Sequence, residues 1–394
     1  MSALSPSLPS RIPLRKLAMP CALLLVWLFF IFKIDGEAFS GGESPRFLFL
    51  SARNLSQLLI EYSIIATLSL GMFMVILASH IDLSVGSGVG LTGGIAAVLA
   101  TQKGWPAPLA LGTALLCALV LWFCIGTLVV RQKMPSFIIT LGGLLIFKGL
   151  FWLVIDNATV PVSPGGKDNL YSLLTTYSLP ESAGLALGVA AAAVIAFLQW
   201  RGRRERIRYQ LPAGGAGMPA VRAAAGALAV LAVVMVCNQF RGVPLSLLII
   251  AGVAVTVYFL TEHTPFGRNL YAIGGNEEAA AIAGINVGRT IIGAFVLMGV
   301  AVAITGFMST AYTGTSTTTV GDLMELDAIA ACVIGGTSLK GGRGTVVGVL
   351  LGAFIMTSLL NGMTLMAVSP EIKYIARGAV LAFAVWMDVR FSRS

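Results

Sequence analysis

The sequence predicts an all-α membrane protein, a polytopic bundle of about 10–12 transmembrane helices when short or broken segments are counted. Three observations lead there. Of 394 residues, 57% are hydrophobic and only 11% are charged, whereas a soluble domain carries about 45–50% apolar and about 25% charged residues. Apolar runs close to the ~20 residues a helix needs to cross a bilayer recur along the chain. Lys and Arg gather in alternate connecting stretches, the pattern of cytoplasmic loops. Composition excludes disorder, nucleic-acid binding and an ordinary cytosolic enzyme. The net charge of +9 is therefore read as topogenic, and not as a footprint for a polyanion.

The runs fall at 17–34, 55–79, 86–101, 106–130, 134–156, 181–200, 221–238, 243–262, 290–312, 324–336, 344–366 and 371–388. Of these twelve, 86–101 and 324–336 are short. Ten full spans plus two broken pieces is an equally good count, because irregular backbone is tolerated at membrane depth where protein covers it. The first run follows Arg11, Arg15 and Lys16 and lacks a small-residue cleavage site, so it reads as a span and not a signal peptide.

Starting the chain inside places Arg131, Lys133, Arg201, Arg203, Arg204, Arg206, Arg208, Arg268, Arg289, Lys340, Arg343, Arg390 and Arg393 in the cytoplasm. Asp35, Glu37, Glu43, Asp156, Asp168, Glu181 and Asp322 then lie on the opposite face. Both termini are expected in the cytoplasm. The chain divides into a tail (1–16), an N-terminal half (17–200), a basic cytoplasmic loop (201–220), a C-terminal half (221–388) and a tail (389–394).

Within the second half, 264–289 is too polar to span. It contains Glu277-Glu278-Ala279-Ala280-Ala281-Ile282-Ala283, a run of strong helix formers. A short helix lying under the membrane is expected. Asn276 is its N-cap and Gly274 and Gly275 give the backbone freedom just before it. Glu277 and Glu278 complement the positive end of the helix dipole. Small residues at four-residue spacing (Gly86, Gly90, Gly94; Gly344, Gly348, Gly352) read as close helix packing.

Charge at mid-membrane is costly, at least ~2.5–3.5 kcal/mol on insertion scales, and so marks pathways or paired groups. Glu61, Lys148 and Arg377 are candidates at depth, with Asp82 and Asp327 near segment ends. Only Glu61 is an acid at such depth, which weakens an ion-coupled secondary transporter as the alternative. The five cysteines form no CxxC pair and the two histidines, His80 and His263, lie far apart, so no metal site is expected. No G-x-x-x-x-G-K-[ST] loop, H-E-x-x-H or G-x-S-x-G occurs; the Gly-rich stretch 335–342 reads as a tight turn. Catalysis by this chain alone is not expected.

Several blocks resemble a known family. GMFMVILASHIDLSVGS (71–87) and MPSFIITLGGLLIFKG (134–149) resemble the permease subunits of bacterial ABC sugar importers. TPFGRNLYAIGGNEEAAAIAGINVGRT (264–290) and ELDAIAACVIGGTSLKGGRGTVVGVLLGAFIMTSLLNGM (325–363) are the stronger matches. The family includes ribose, galactose, arabinose and xylose permeases. ARN (52–54), LQWRGRRER (198–206) and FRGVP (240–244), with a longer central segment 181–238, are most similar to its D-xylose branch.

The resemblance implies a multi-pass permease of the bacterial inner membrane, surrounded by lipid and paired with a second copy as a homodimer. It implies an ABC ATPase subunit on the cytoplasmic side, which binds ATP and Mg, and a periplasmic sugar-binding protein. No cofactor is then expected on this chain. It also implies that Gly274, Gly275, Asn276, Glu277, Glu278, Ala279 and Ala280 form the segment that couples to the ATPase. Asp82, Ser84, Glu325 and Asp327 are expected to cap or break short helices, and Phe73, Phe147 and Asn361 to line the path.

Overall fold

The structure is a computed structural model and describes residues 14–36, 47–210 and 217–392. Arg11, Glu37, Glu43 and Arg393, with most of the N-terminal tail, lie outside the described residues. The helices in chain order are α1 (Leu14–Ile34), α2 (Ala52–Leu77), α3 (Val85–Ala97), α4 (Ala107–Gln132) and α5 (Ser136–Val154). Then come α6 (Leu170–Thr176), α7 (Glu181–Arg208), α8 (Gly217–Asn238) and α9 (Leu245–His263). The remainder are α10 (Pro265–Gly275), α11 (Glu277–Ile282), α12 (Val287–Thr313), α13 (Met324–Ile334), α14 (Val346–Leu365) and α15 (Pro370–Ser392). A two-stranded antiparallel ladder joins β1 (Val160–Pro161) to β2 (Thr315–Ser316).

Nine helices among the described residues are long and apolar enough to cross a membrane, and α1, α13 and α15 complete the twelve segments. The segment after residue 85 gains its length from a π-turn, Val98–Gln102, that continues α3. Proline marks where spans begin: Pro106, Pro135, Pro180 and Pro244 sit at the N-caps of α4, α5, α7 and α9, where a missing N–H costs nothing.

The core is built on α12. It packs against α4, α2 and α3, while α3 packs on α5 and α13 on α14 and α2. Where α3 crosses α12 the two backbones nearly touch: a Cβ on Gly306 would lie 2.6 Å from the Val89 carbonyl, and one on Gly93 would lie 2.7 Å from the Gly306 carbonyl. The two halves of the chain therefore interlock through α12 and are not separate bodies.

Three boundary expectations need correction. The basic stretch after residue 200 is not loop throughout, because α7 runs on to Arg208 before the Pro212-Ala213-Gly214-Gly215 segment; Arg and Glu are good helix formers. Residues 211–216 lie outside the described residues. The C-terminal tail is likewise helical as far as Ser392. Finally, Gly344 does not belong to a helical stripe. It precedes α14 at φ +154, and a Cβ there would press on Phe73 and Thr337.

Candidate functional site

Two features stand apart along α2, one at its C-terminal end and one nine residues in from its start. The first is the 264–289 connection, which folds as two short helices where one was expected. Thr264 caps α10 by accepting the Gly267 N–H, with Pro265 at the first helical position. Leu270 and Ile273, three residues apart, bury one face of α10. Asn276 caps α11 by accepting the Ala279 N–H at 2.9 Å, with Glu277 and Glu278 in the first turn.

Gly274 and Gly275 close α10 and do not open α11. A side chain on Gly274 would collide with the Leu77 carbonyl at the end of α2, and the Gly342 N–H donates to that same carbonyl at 3.0 Å. Ser79, held at φ +64, donates from its hydroxyl to the Lys340 carbonyl at 2.7 Å. The Tyr271 hydroxyl donates to the Gly344 carbonyl at 3.0 Å. Burial, with the nearby Glu262 carboxylate, pushes the Tyr271 phenol up to about 12, so it stays a donor at neutral pH.

The helix pair is thus anchored from behind to α2 and to the 338–344 turn. Its front is exposed: Glu277, Glu278, Ala279 and Ala281 face outward, Ala280 is buried, and Ile282 is 88% exposed. Ile282 was not singled out by sequence reasoning, because an Ile closing an Ala-rich helix looks like a packing residue until its surroundings are seen.

The second feature lies sixteen residues back along α2, about 24 Å at 1.5 Å per residue. Glu61, Ile64 and Ile65 of α2, Met324 and Asp327 of α13, Thr357, Leu360 and Thr364 of α14 and Arg377 of α15 line a cavity of about 230 Å³. Glu61 accepts the Tyr312 hydroxyl at 2.8 Å and the Asn361 side-chain N–H at 3.4 Å. Asp327, 2% exposed, faces Arg377 with Oδ1 3.2 Å from Nε, yet neither of those atoms makes a hydrogen bond. Lys373 donates to Thr364 at 3.1 Å.

The other candidates lie elsewhere. Asp82 joins α2 to α3, accepting the Trp122 indole N–H at 2.6 Å on one oxygen and the Ser84 N–H and hydroxyl on the other. Lys148 pairs with Asp322 and donates to the Thr318 carbonyl, pinning the segment before α13. Glu325 is buried beside Gly86, where a Cβ would strike its carboxylate. Gly90 and Gly94 make room for Phe151 of α5, and Gly348 and Gly352 for the backbone of α13. Phe73 and Phe147 are core residues, the latter 5.3 Å from the Trp122 ring, and neither lines the cavity. Tyr312, Thr357, Thr364 and Lys373 had no local sequence signal; helix packing alone brings them to Glu61 and Arg377. Among the described residues no group of three or more His, Cys, Asp or Glu is placed to hold a metal.

Residues 54–385 match the family described as branched-chain amino acid transport system / permease component. The xylose transport system permease protein XylH of Escherichia coli strain K12 is 41% identical over 377 residues, covering 95% of this chain and 92% of that protein. XylH of Haemophilus influenzae is 39% identical, over 94% and 95% of the two chains. The galactose/methyl galactoside import permease MglC of E. coli K12 is 32% identical, over 86% and 87%. No solved structure matches. A multi-spanning helical bundle, a family match across most of its length and sugar permeases as relatives agree: the chain belongs to this family of transport-system permease components.

Proposed function

We propose that this chain is the membrane subunit of an ABC importer that moves D-xylose from periplasm to cytoplasm, working as a homodimer in the bacterial inner membrane. A separate ATPase, which binds ATP and Mg, docks on α10–α11, and a periplasmic sugar-binding protein delivers substrate at the opposite end. The N- and C-termini then lie in the cytoplasm, on the same side as α11.

The observation that carries this reading is a helix pair exposed in front and anchored behind. Glu277, Glu278 and Ile282 offer two charges and one exposed apolar side chain to a partner's groove. Behind them, Ser79 at the end of α2 donates to the Gly274 carbonyl at 3.4 Å and Tyr271 donates to the Gly344 carbonyl, while the Leu77 and Lys340 carbonyls join the end of α2 to the same turn before α14. A push on α11 therefore moves two core spans as levers. The absence of a phosphate loop from the sequence fits an ATP site on the partner.

The test is ATP hydrolysis and sugar uptake by the complex in liposomes with its ATPase and binding protein, comparing xylose, ribose, arabinose and galactose. Stimulation by xylose alone supports the whole proposal. Stimulation by another sugar replaces the substrate, and uptake that follows an ion gradient at constant ATP favours a secondary transporter. Glu277→Lys with Glu278→Lys should lower coupled uptake roughly tenfold or more while leaving the protein folded in the membrane, since reversed charge disrupts docking.

A further inference from the structure

Two cavities differ in kind. One, of about 370 Å³ between α2, α9 and α12, is lined by Met74, Leu248, Ile249, Val253, Leu297 and other almost wholly apolar residues. Its one hydroxyl, that of Thr256, already donates to the Gly252 carbonyl at 2.8 Å. The other is the Glu61–Asp327–Arg377 cavity, where acceptors, donors and aliphatic surface alternate.

Resting on the function proposed above, we propose that the Glu61–Asp327–Arg377 cavity is the transit site in which the permease holds one neutral monosaccharide during passage.

Charge balance selects a neutral ligand. Glu61 and Asp327 are opposed by Arg377 and by Lys373, which reaches Thr364 on the rim. Two acids against two bases leave no net charge to attract a cation or an anion. Hydrogen-bond valence selects a polyol. The Oδ1 of Asp327, the Nε of Arg377 and the Oδ1 of Asn361, the residue that holds Glu61, have no hydrogen-bond partner. Asp327 and Asn361 are 2% and 5% exposed, so water does not readily satisfy them, and leaving a buried polar group without a partner is costly. A sugar hydroxyl both donates and accepts, so one hydroxyl set beside the pair can donate to Asp327 and accept from Arg377 without parting them.

Ile64, Ile65, Met324 and Leu360 supply an apolar floor for the C–H face of the ring. No aromatic ring lines the cavity, so there is no stacking platform to hold the sugar tightly. A weak site suits passage, since a tight one would retain its cargo. Its walls come from α2, α13, α14 and α15, all of which meet the α10–α11 anchor or the 335–345 segment at their other ends, α15 through Asp388, which accepts the Leu339 N–H at 3.3 Å, so movement of the anchor changes the shape of the cavity.

The test uses the whole complex in liposomes. Thr357→Val removes a hydroxyl from the wall at near-constant volume, and Asn361→Leu removes the partner of Glu61. Each should lower xylose uptake at least fivefold while binding-protein-stimulated ATP hydrolysis persists, because the sugar contact is lost and the ATPase contact is not. As an independent readout, Thr364→Cys, on the cavity rim, should react with a hydrophilic thiol reagent more slowly when the cycling complex is supplied with xylose than with buffer. Labelling of the parent chain with its own five cysteines is the reference. Unchanged uptake in both the Thr357 and Asn361 variants together with unaltered Thr364→Cys labelling overturns the transit site while the importer stands. Uptake and ATP hydrolysis lost together, with no protection at residue 364, also overturns it and makes the cluster structural. A parent complex with no ATP-driven uptake defeats the importer reading itself.

Discussion

The apolar stretches of helices α2 and α7 have equal hydropathy, yet 78% of that of α2 is buried inside the molecule against 11% of that of α7. The difference lies in the small and hydroxylated residues. Ser63, Thr67 and Ser69 of α2 bond back to the carbonyls four residues earlier at 2.7 Å each, and Gly71 lets Ala301 and Met298 of α12 approach. On α7 only Gly184 and Gly188 are buried, both against side chains of α8 or the turn after it, while Leu185, Val189, Val194 and Phe197 face outward. In a bilayer apolar area gives no preference for the interior, because lipid is as apolar as Leu; close backbone approach does.

The sharpest way to break this comparison is a matched pair of glycine substitutions. Gly306→Leu places a side chain against the backbone of α3, which has nowhere to move. Overpacking typically costs about 1–3 kcal/mol, and a clash with backbone exceeds that range, so folded protein should be lost on detergent gel filtration. Gly226→Leu in α8 meets only the end of the Ile195 side chain, and should leave the elution profile and melting curve near the parent's. Equal losses from both would show that the hairpin is as tightly packed as the core.

Much of this architecture was legible in the sequence. Each span is a local matter of composition, and each N-cap Pro or Asn is a local signal, so spans and the α11 cap could be read directly. Burial could not, since α2 and α7 look alike to hydropathy. Nor could the partners of the charges: Lys148 meets Asp322, 174 residues on, and Glu61 meets Tyr312 at a separation of 251. Gly274 and Gly275 read as free backbone ahead of α11 because two glycines before an Asn look like a break. Only the carbonyl of Leu77 behind them shows that they mark a contact.

A smaller effect sharpens the comparison through two tryptophans. Trp122→Phe leaves the buried Asp82 carboxylate without one of its donors, worth about 1–3 kcal/mol, and should lower the melting midpoint in detergent measurably. Trp200→Phe on α7 replaces an exposed indole stacked under Arg204 at 3.9 Å, a contact worth about 0.5–1 kcal/mol at such sites, by a ring that keeps part of it, and should barely move it. A larger shift from Trp200 would mean that the hairpin supports the core.

The smallest expected effect follows from how the hairpin joins the rest. The Leu179 N–H donates to the Val243 carbonyl at 2.9 Å, and the Leu245 N–H donates to the Tyr177 carbonyl at 3.0 Å. The chain leaves and returns at one hydrogen-bonded junction, the arrangement that tolerates insertion and removal of a segment between. Removing 181–241 and closing the gap with a short Gly-Ser linker takes out two spans, so every later segment keeps its direction. It also removes the Arg cluster of α7, but Arg131, Lys133, Arg268 and Arg289 remain as topogenic charges. The losses are the contacts of Val234 and Cys237 with Leu59 and Leu247. A few aliphatic contacts exchanged for lipid should leave the shortened chain folded, with a melting midpoint within a few degrees of the parent. If it fails to insert or fold, α8 acts as part of the wall around α2, and the boundary between core and hairpin has to be drawn outside it.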